Sequence, residues 1–288
     1  MIRCVAQTAD VLGEVPLWHP GEGALYWIDL FKPAVHRLDP ATGDVRSWTP
    51  PMKLGSIGLR AAGGLLLAGR DGLLLTDPDL AVTGFLGHPD GDRPENILND
   101  GRVDPAGRFF VGSMNKMLEK PSGRLFRVEP DGRSTVVADG IWVPNSLAFS
   151  PDGRTMYFAD SHEKRIYAYP FDPDTGDLGA RRLFADTADE PGVPDGSAVD
   201  ADGFLWNARF DGSAVIRYDP DGRVERRVAL PVTRPSACTF GGEDLSTLYV
   251  TTARFRLPAD VLAREPDAGG LLAVATDVRG LEEPLFAG

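Results

Sequence analysis

Six times along this chain a turn rich in glycine, proline or aspartate precedes a short apolar strand. No other feature limits the fold as tightly. The turns are His19-Pro20-Gly21, Ala61-Ala62-Gly63-Gly64, Asp104-Pro105-Ala106-Gly107, Ser150-Pro151-Asp152-Gly153, Asp200-Ala201-Asp202-Gly203 and Gly241-Gly242-Glu243-Asp244. The strands behind them cover 24–29, 65–68, 108–112, 155–159, 204–208 and 247–251. Four units add a third strand that ends near an acidic turn, at 35–39, 125–129, 166–169 and 215–219. The units are led by Glu14, Ser56, Asn99, Asn145, Asp195 and Ser236, spaced by 42, 43, 46, 50 and 41 residues. Fixed periods of this size mark repeat architectures, and each unit has room for three to four short strands. The expectation is an all-β fold, a six-bladed β-propeller forming a single domain over residues 1–288. Residues 2–7 would complete the last blade beside 270–275. A β-sandwich would not predict six like repeats. Helical patterning is confined to 259–264, after Pro258.

The formal net charge of −12 argues against a nucleic-acid partner, because phosphate binding needs a concentrated basic face. Arg181-Arg182 and Arg226-Arg227 are the densest basic spots and read as solvated faces. Cys4 and Cys238 cannot staple a chain of this size and read as small buried hydrophobes in a reducing compartment. No apolar run approaches the roughly 18 residues that span a bilayer, and the first residues lack a secretory apolar core. A cytoplasmic protein without membrane contact is expected; oligomeric state is not legible.

In a propeller the first strand of each blade lines a central channel, so equivalent positions converge. At that step four units supply Glu14, Asn99, Asn145 and Asp195, and two supply Ser56 and Ser236. Carboxylate and amide oxygens suit a hard or borderline divalent cation, and two carboxylates balance its charge. Any one of these residues could simply be building a turn. Four in register point to a central axial metal site.

The motifs around them resemble a known family. Leu12-Gly13-Glu14-Val15-Pro16-Leu17-Trp18 is similar to the L-G-E-G-P-x-W opening of the gluconolactonase/regucalcin/luciferin-regenerating-enzyme family. Asn99-Asp100-Gly101 through Asp104-Pro105-Ala106-Gly107-Arg108 resembles its N-D-G-x-x-D-P-x-G-R segment. Pro144-Asn145-Ser146-Leu147 with Ser150-Pro151-Asp152-Gly153 resembles P-N-G-L-x-x-S-P-D-G, and Pro194-Asp195-Gly196 extends the series. The likeness continues through Phe240-Gly241-Gly242 and 247–253, so it runs in order from Leu12 to Ala253. It implies one divalent metal (Ca, Zn, Mg, Mn or Fe(II)) held by Glu14, Asn145 and Asp195, with Asn99 just beyond, on the substrate or a nearby water. It also implies hydrolysis of a small-molecule lactone, a sugar lactone or a relative, to the hydroxy acid. A metal would polarise the carbonyl and activate water. Asp195 is the candidate general base, although a carboxylate beside a cation is a weak one.

Three departures bear on substrate. Many sugar lactonases of the family carry an arginine two residues before the Asn of N-D-G, and here that residue is Ile97. An apolar side chain in place of a guanidinium argues for a less polar substrate. Val15 and Ser146 replace glycines after Glu14 and Asn145, a change expected to touch packing alone. Trp142 can wall the pocket or pack in the core. The segment 114–120, through Met114, Met117 and Leu118, can cover the substrate or rest on a neighbouring loop.

Other signals resolve as structural. Asp172-Pro173-Asp174-Thr175-Gly176-Asp177 begins like a calcium loop, but the twelfth residue is Leu183 where a glutamate is required, so a hairpin turn is expected. The four histidines lack H-E-x-x-H spacing, and no G-x-S-x-G elbow exists. The alternatives to a lactonase are a metal-dependent esterase or phosphotriesterase-like hydrolase on the same site, and a non-catalytic cation-binding propeller.

Overall fold

The computed structural model describes all residues from Met1 to Gly288. The chain forms 24 strands and one short helix. The first strand, β1 (Ile2–Ala6), is set aside for the last sheet. Blade 1 is β2 (Gly13–His19), β3 (Ala24–Asp29), β4 (Ala34–Leu38) and β5 (Val45–Trp48). Blade 2 is β6 (Leu54–Leu59), β7 (Leu65–Gly69), β8 (Gly72–Thr76) and β9 (Val82–Gly87). Blade 3 follows with β10 (Asn96–Val103), β11 (Phe109–Asn115), β12 (Gly123–Val128) and β13 (Ser134–Ile141). Blade 4 contains β14 (Pro144–Phe149), β15 (Thr155–Asp160), β16 (Arg165–Pro170) and β17 (Arg182–Asp186). Blade 5 contains β18 (Val193–Val199), β19 (Leu205–Phe210), β20 (Ala214–Tyr218) and β21 (Val224–Ala229). Blade 6 takes β22 (Pro235–Gly241), β23 (Thr247–Thr252) and β24 (Leu271–Ala275), and β1 completes it.

Every sheet is an antiparallel meander of four strands, the architecture of a six-bladed β-propeller. β1 lies on β24 with Ile2 opposite Val274 and Cys4 opposite Leu272, as the sequence led us to expect. Helix α1 (Ala259–Arg264) follows Pro258 on schedule, and neither it nor any other segment is a helix long and apolar enough to cross a membrane. The 172–177 segment closes a turn, with the Gly176 N–H donating to the Asp172 carbonyl, and 39–44 repeats the same bond.

Burial follows strand order. β3, β6 and β7 are buried along their whole length, whereas β5 and β21 are mostly exposed. Sheets covered on both faces lose the in-out alternation, which is why the inner strands read as continuous apolar runs.

Contacts gather into two compact units: 1–50 with 189–282, and 51–188 with 283–288. The first holds blades 1, 5 and 6. Its core includes Trp206 edge-on to Phe240 at 5.7 Å, and Trp27 among Leu25, Leu271 and Tyr249. The second holds blades 2, 3 and 4. Phe286, near the end of the chain, is fully buried there among Leu66, Phe109 and Phe126, and its backbone bonds to Leu59 and Ala61.

Candidate active site on the innermost strands

Each innermost strand breaks its ladder once. Glu14 faces Ile28 but Leu17 faces Tyr26, so β2 carries one residue more than β3. The same one-residue slip falls between Leu98 and Gly101, Asn145 and Ala148, Pro194 and Ser197, Leu54 and Ser56, and Pro235 and Ala237. Bulges re-aim side chains, and here they do so at one step in six blades. In five blades the first turn bond fixes the count, its acceptors being the carbonyls of His19, Arg60, Asp104, Ser150 and Asp200. The fifth residue before each is Glu14, Gly55, Asn99, Asn145 and Asp195. The four polar residues therefore share one step. Blade 2 places Gly55 there, not Ser56, and Ser56 instead donates to the Gly101 carbonyl at 3.1 Å. Ser236 likewise bonds the Gly13 carbonyl, so both serines tie neighbouring strands together.

Asn145 is buried and its orientation is set. Its amide nitrogen donates to Ser161 Oγ at 2.8 Å, which turns Oδ1 toward Asn99, whose Nδ2 stands 3.5 Å away. Asn99 Nδ2 also donates to the Pro144 carbonyl at 3.0 Å. Asp195 is buried, and its carbonyl accepts from Asn207 Nδ2 at 2.9 Å. Glu14 is half-buried. The Glu14 and Asp195 carboxylates and the fixed Asn145 amide oxygen are each hard oxygen donors, the kind of group that a divalent cation such as calcium accepts. No group of three His, Cys, Asp or Glu side chains is arranged to hold a metal ion. Cys238 turns its sulfur to the Trp206 carbonyl at 3.4 Å.

Close strand approach needs glycine beside these residues. A Cβ on Gly55 would lie 2.0 Å from the Leu98 carbonyl oxygen, and one on Gly196 would lie 2.3 Å from Ala237 Cβ. The residues after Glu14 and Asn145 present the opposite case. Val15 and Ser146 are not glycines, yet both hold left-handed φ, +49° and +61°. Their substitution thus affects backbone strain as well as packing, because L side chains disfavour that region.

Around the step, Ile97 is half-buried on β10, opposite Met114 at the end of β11. Met117 is 67% exposed in the following loop, where its N–H donates to Asn115 Oδ1 at 3.0 Å. Trp142 precedes β14 and stacks on His162 with ring centroids 4.3 Å apart. His162 follows Ser161, the partner of Asn145. No sequence spacing marks His162; the β15–β16 turn brings it to this end of the blade.

Asp100, next to Asn99, accepts from the Leu147 N–H at 3.1 Å. Burial pushes its carboxyl up to about 6, against the pull of that bond and of nearby Arg102. Arg102 itself pairs with buried Glu283 at 2.8 Å.

Comparison with known proteins places the chain in a family. The chain is 41% identical over 292 residues to a 6-deoxy-6-sulfogluconolactonase of Pseudomonas putida, covering 100% of this chain and 99% of that protein. It is 38% identical to a pentonolactonase of Haloferax volcanii, covering 86% and 84%. The crystal structure of a calcium-binding protein, regucalcin, from Agrobacterium tumefaciens superposes with a TM-score of 0.95 at 34% identity, over 99% of this chain and 97% of the other. Residues 12–254 match the family model described as the SMP-30/gluconolactonase/LRE-like region, and the chain belongs to that family.

Proposed function

We propose that the protein is a metal-dependent lactonase that opens a sugar lactone, or a close relative, to the hydroxy acid. Glu14, Asn145 and Asp195 hold one divalent cation in this reading. The observation that carries it is the shared step of four oxygen-bearing side chains, one with its amide already oriented. Family membership and two relatives named as lactonases give further support.

Such a cation, when bound, polarises the lactone carbonyl and acidifies water near it. The residues of the chain do the rest. Asp195 takes the proton of the attacking water and passes it to the ring oxygen as the C–O bond breaks. Asn99, its nitrogen committed to Pro144, turns its carbonyl oxygen to a substrate hydroxyl or a water. Trp142, Ile97 and Met117 supply apolar walls. A panel of lactones and esters, assayed for acid release with chelator and with added metals, tests the reading. Turnover of lactones that chelator abolishes and metal restores is expected; turnover indifferent to chelator would overturn it.

Ile97 favours a second reading, hydrolysis of less polar lactones or esters on the same site. An Ile97→Arg variant should then gain on polyhydroxylated lactones and lose on apolar ones.

A further inference from the structure

The three proposed metal ligands share a feature one strand outward. The residue before each, Gly13, Pro144 and Pro194, is paired across the ladder with Asp29, Asp160 and Arg209. All three are charged, yet their exposures are 1%, 3% and 0%. The corresponding partners in the other blades, Gly69, Ser113 and Thr252, carry no charge. Buried charge is expensive unless something requires it. A general need to build turns would place it in all six blades.

Besides the turn bonds that Asp29 accepts from the Phe31 and Lys32 N–H groups at 3.0 and 3.1 Å, each of these side chains holds the backbone leading into the ligand. Asp29 accepts from the N–H groups of Val11 at 2.8 Å and Leu12 at 3.2 Å, three and two residues before Glu14. Asp160 accepts from Trp142 at 2.8 Å and Val143 at 3.1 Å, three and two residues before Asn145. Burial raises the Asp160 carboxyl, and these bonds, with one from the His162 N–H, pull it back. Blade 5 inverts the device. Arg209 Nε donates to the Pro191 carbonyl at 3.3 Å and a terminal nitrogen to that of Gly192 at 3.2 Å, four and three residues before Asp195. Pro191 has no N–H for an acid to grip, so a guanidinium takes the carbonyls.

We propose that Asp29, Asp160 and Arg209 are positioning residues that fix Glu14, Asn145 and Asp195 for the cation, an inference that rests on the metal-site reading above. An asparagine in place of either acid offers one acceptor oxygen where the lead-in segment presents two donors. A lysine in place of Arg209 keeps the charge but loses the planar fork. Groups that orient ligands in this way change metal affinity by about 10- to 100-fold when removed.

The test is calorimetric titration of chelator-stripped protein with calcium chloride and then manganese chloride, beside the Tm of each variant. Asp160→Asn and Asp29→Asn should each weaken calcium binding about tenfold or more while the circular dichroism of the fold is kept. Arg209→Met should do the same and Arg209→Lys should recover part of the loss. Thr252→Val, in a blade without a ligand, should lower Tm and leave the calcium Kd unchanged. Variants at Asp29, Asp160 and Arg209 that lower Tm but bind calcium like the wild type would show a structural role only and overturn the proposal. Tighter binding by Arg209→Met would overturn it as well, because electrostatic repulsion would then outweigh positioning. A wild type that binds neither ion would instead remove the metal-site reading on which the proposal stands.

Discussion

Blades 2 and 4 are built alike and differ at one step. Each has four antiparallel strands, a one-residue slip in its innermost ladder and a turn bond at the same place. Blade 4 sets Asn145 at the step, with its amide fixed by Ser161. Blade 2 sets Gly55 there, and its strand closes against Leu98 and Asn99 of β10 so tightly that a side chain has no room. Architecture thus supplies the position in both, and the sequence decides whether it carries an oriented amide or a strand contact. The blades can be separated by experiment: function should fail in one and folding in the other.

The largest effect belongs to the chemical steps. Glu14→Gln and Asp195→Asn keep size and remove one charge, so kcat/KM should fall by about a thousandfold or more, roughly 4 kcal/mol of transition-state stabilisation. Tm should move by only a few degrees. Steady-state kinetics with calorimetry would check this, and a variant near wild-type rate would mean that its residue is misplaced in the site. Gly55→Ala should show the reverse. Its Cβ would meet backbone atoms at 2.0 to 2.9 Å, none of them a flexible side-chain end. Overpacking of this kind costs about 3 kcal/mol, read by denaturant unfolding. An alanine accepted without loss would break the contrast between the two blades.

Much of this contrast is legible in the sequence. Turns with fixed spacing gave six blades, and the common step of Glu14, Asn99, Asn145 and Asp195 leaves a periodic trace. Ser56 was one residue off, because a bulge adds a residue that no propensity marks. Asp29, Asp160 and Arg209 escaped because they lie 14 to 15 residues after the proposed ligands and grip backbone, which has no residue identity. Outer strands such as β9 and β17 had no readable period, since neither face of theirs buries a regular apolar row. His162 escaped because its partners are spatial.

Blade 3 sharpens the comparison in another way, since its step residue is followed by a carboxylate where the blades of Glu14, Asn145 and Asp195 have Val15, Ser146 and Gly196. The Asp100 carboxyl stands at about 6 in the folded protein against 3.8 ordinarily. A raised acid binds its proton more tightly folded than unfolded. Its penalty is therefore absent below pH 4 and grows to its full size as pH rises past 6. Asp100→Asn should remove that penalty and keep the bond from Leu147. The variant should match the wild type at pH 4 and exceed it at pH 8 by about 3 kcal/mol, from a shift of roughly two pH units. Urea unfolding at both pH values decides it; an equal difference at both would mean that the carboxylate is solvated.

The smallest effect concerns Val15 and asks whether strain or burial governs the step. A non-glycine residue in the left-handed region costs about 1–2 kcal/mol, which Val15→Gly would relieve. Val15 is also buried, and loss of its side chain forfeits about 1.5–3 kcal/mol. Glycine adds a further 0.5–1 kcal/mol or so of unfolded-chain entropy. Burial wins, and Val15→Gly should destabilise by about 1 kcal/mol, a drop in Tm of about 2–4 °C. A rise in Tm would mean instead that strain dominates. The valine would then be held at a net cost to the fold, one residue from Glu14, and the explanation for it would have to come from the site.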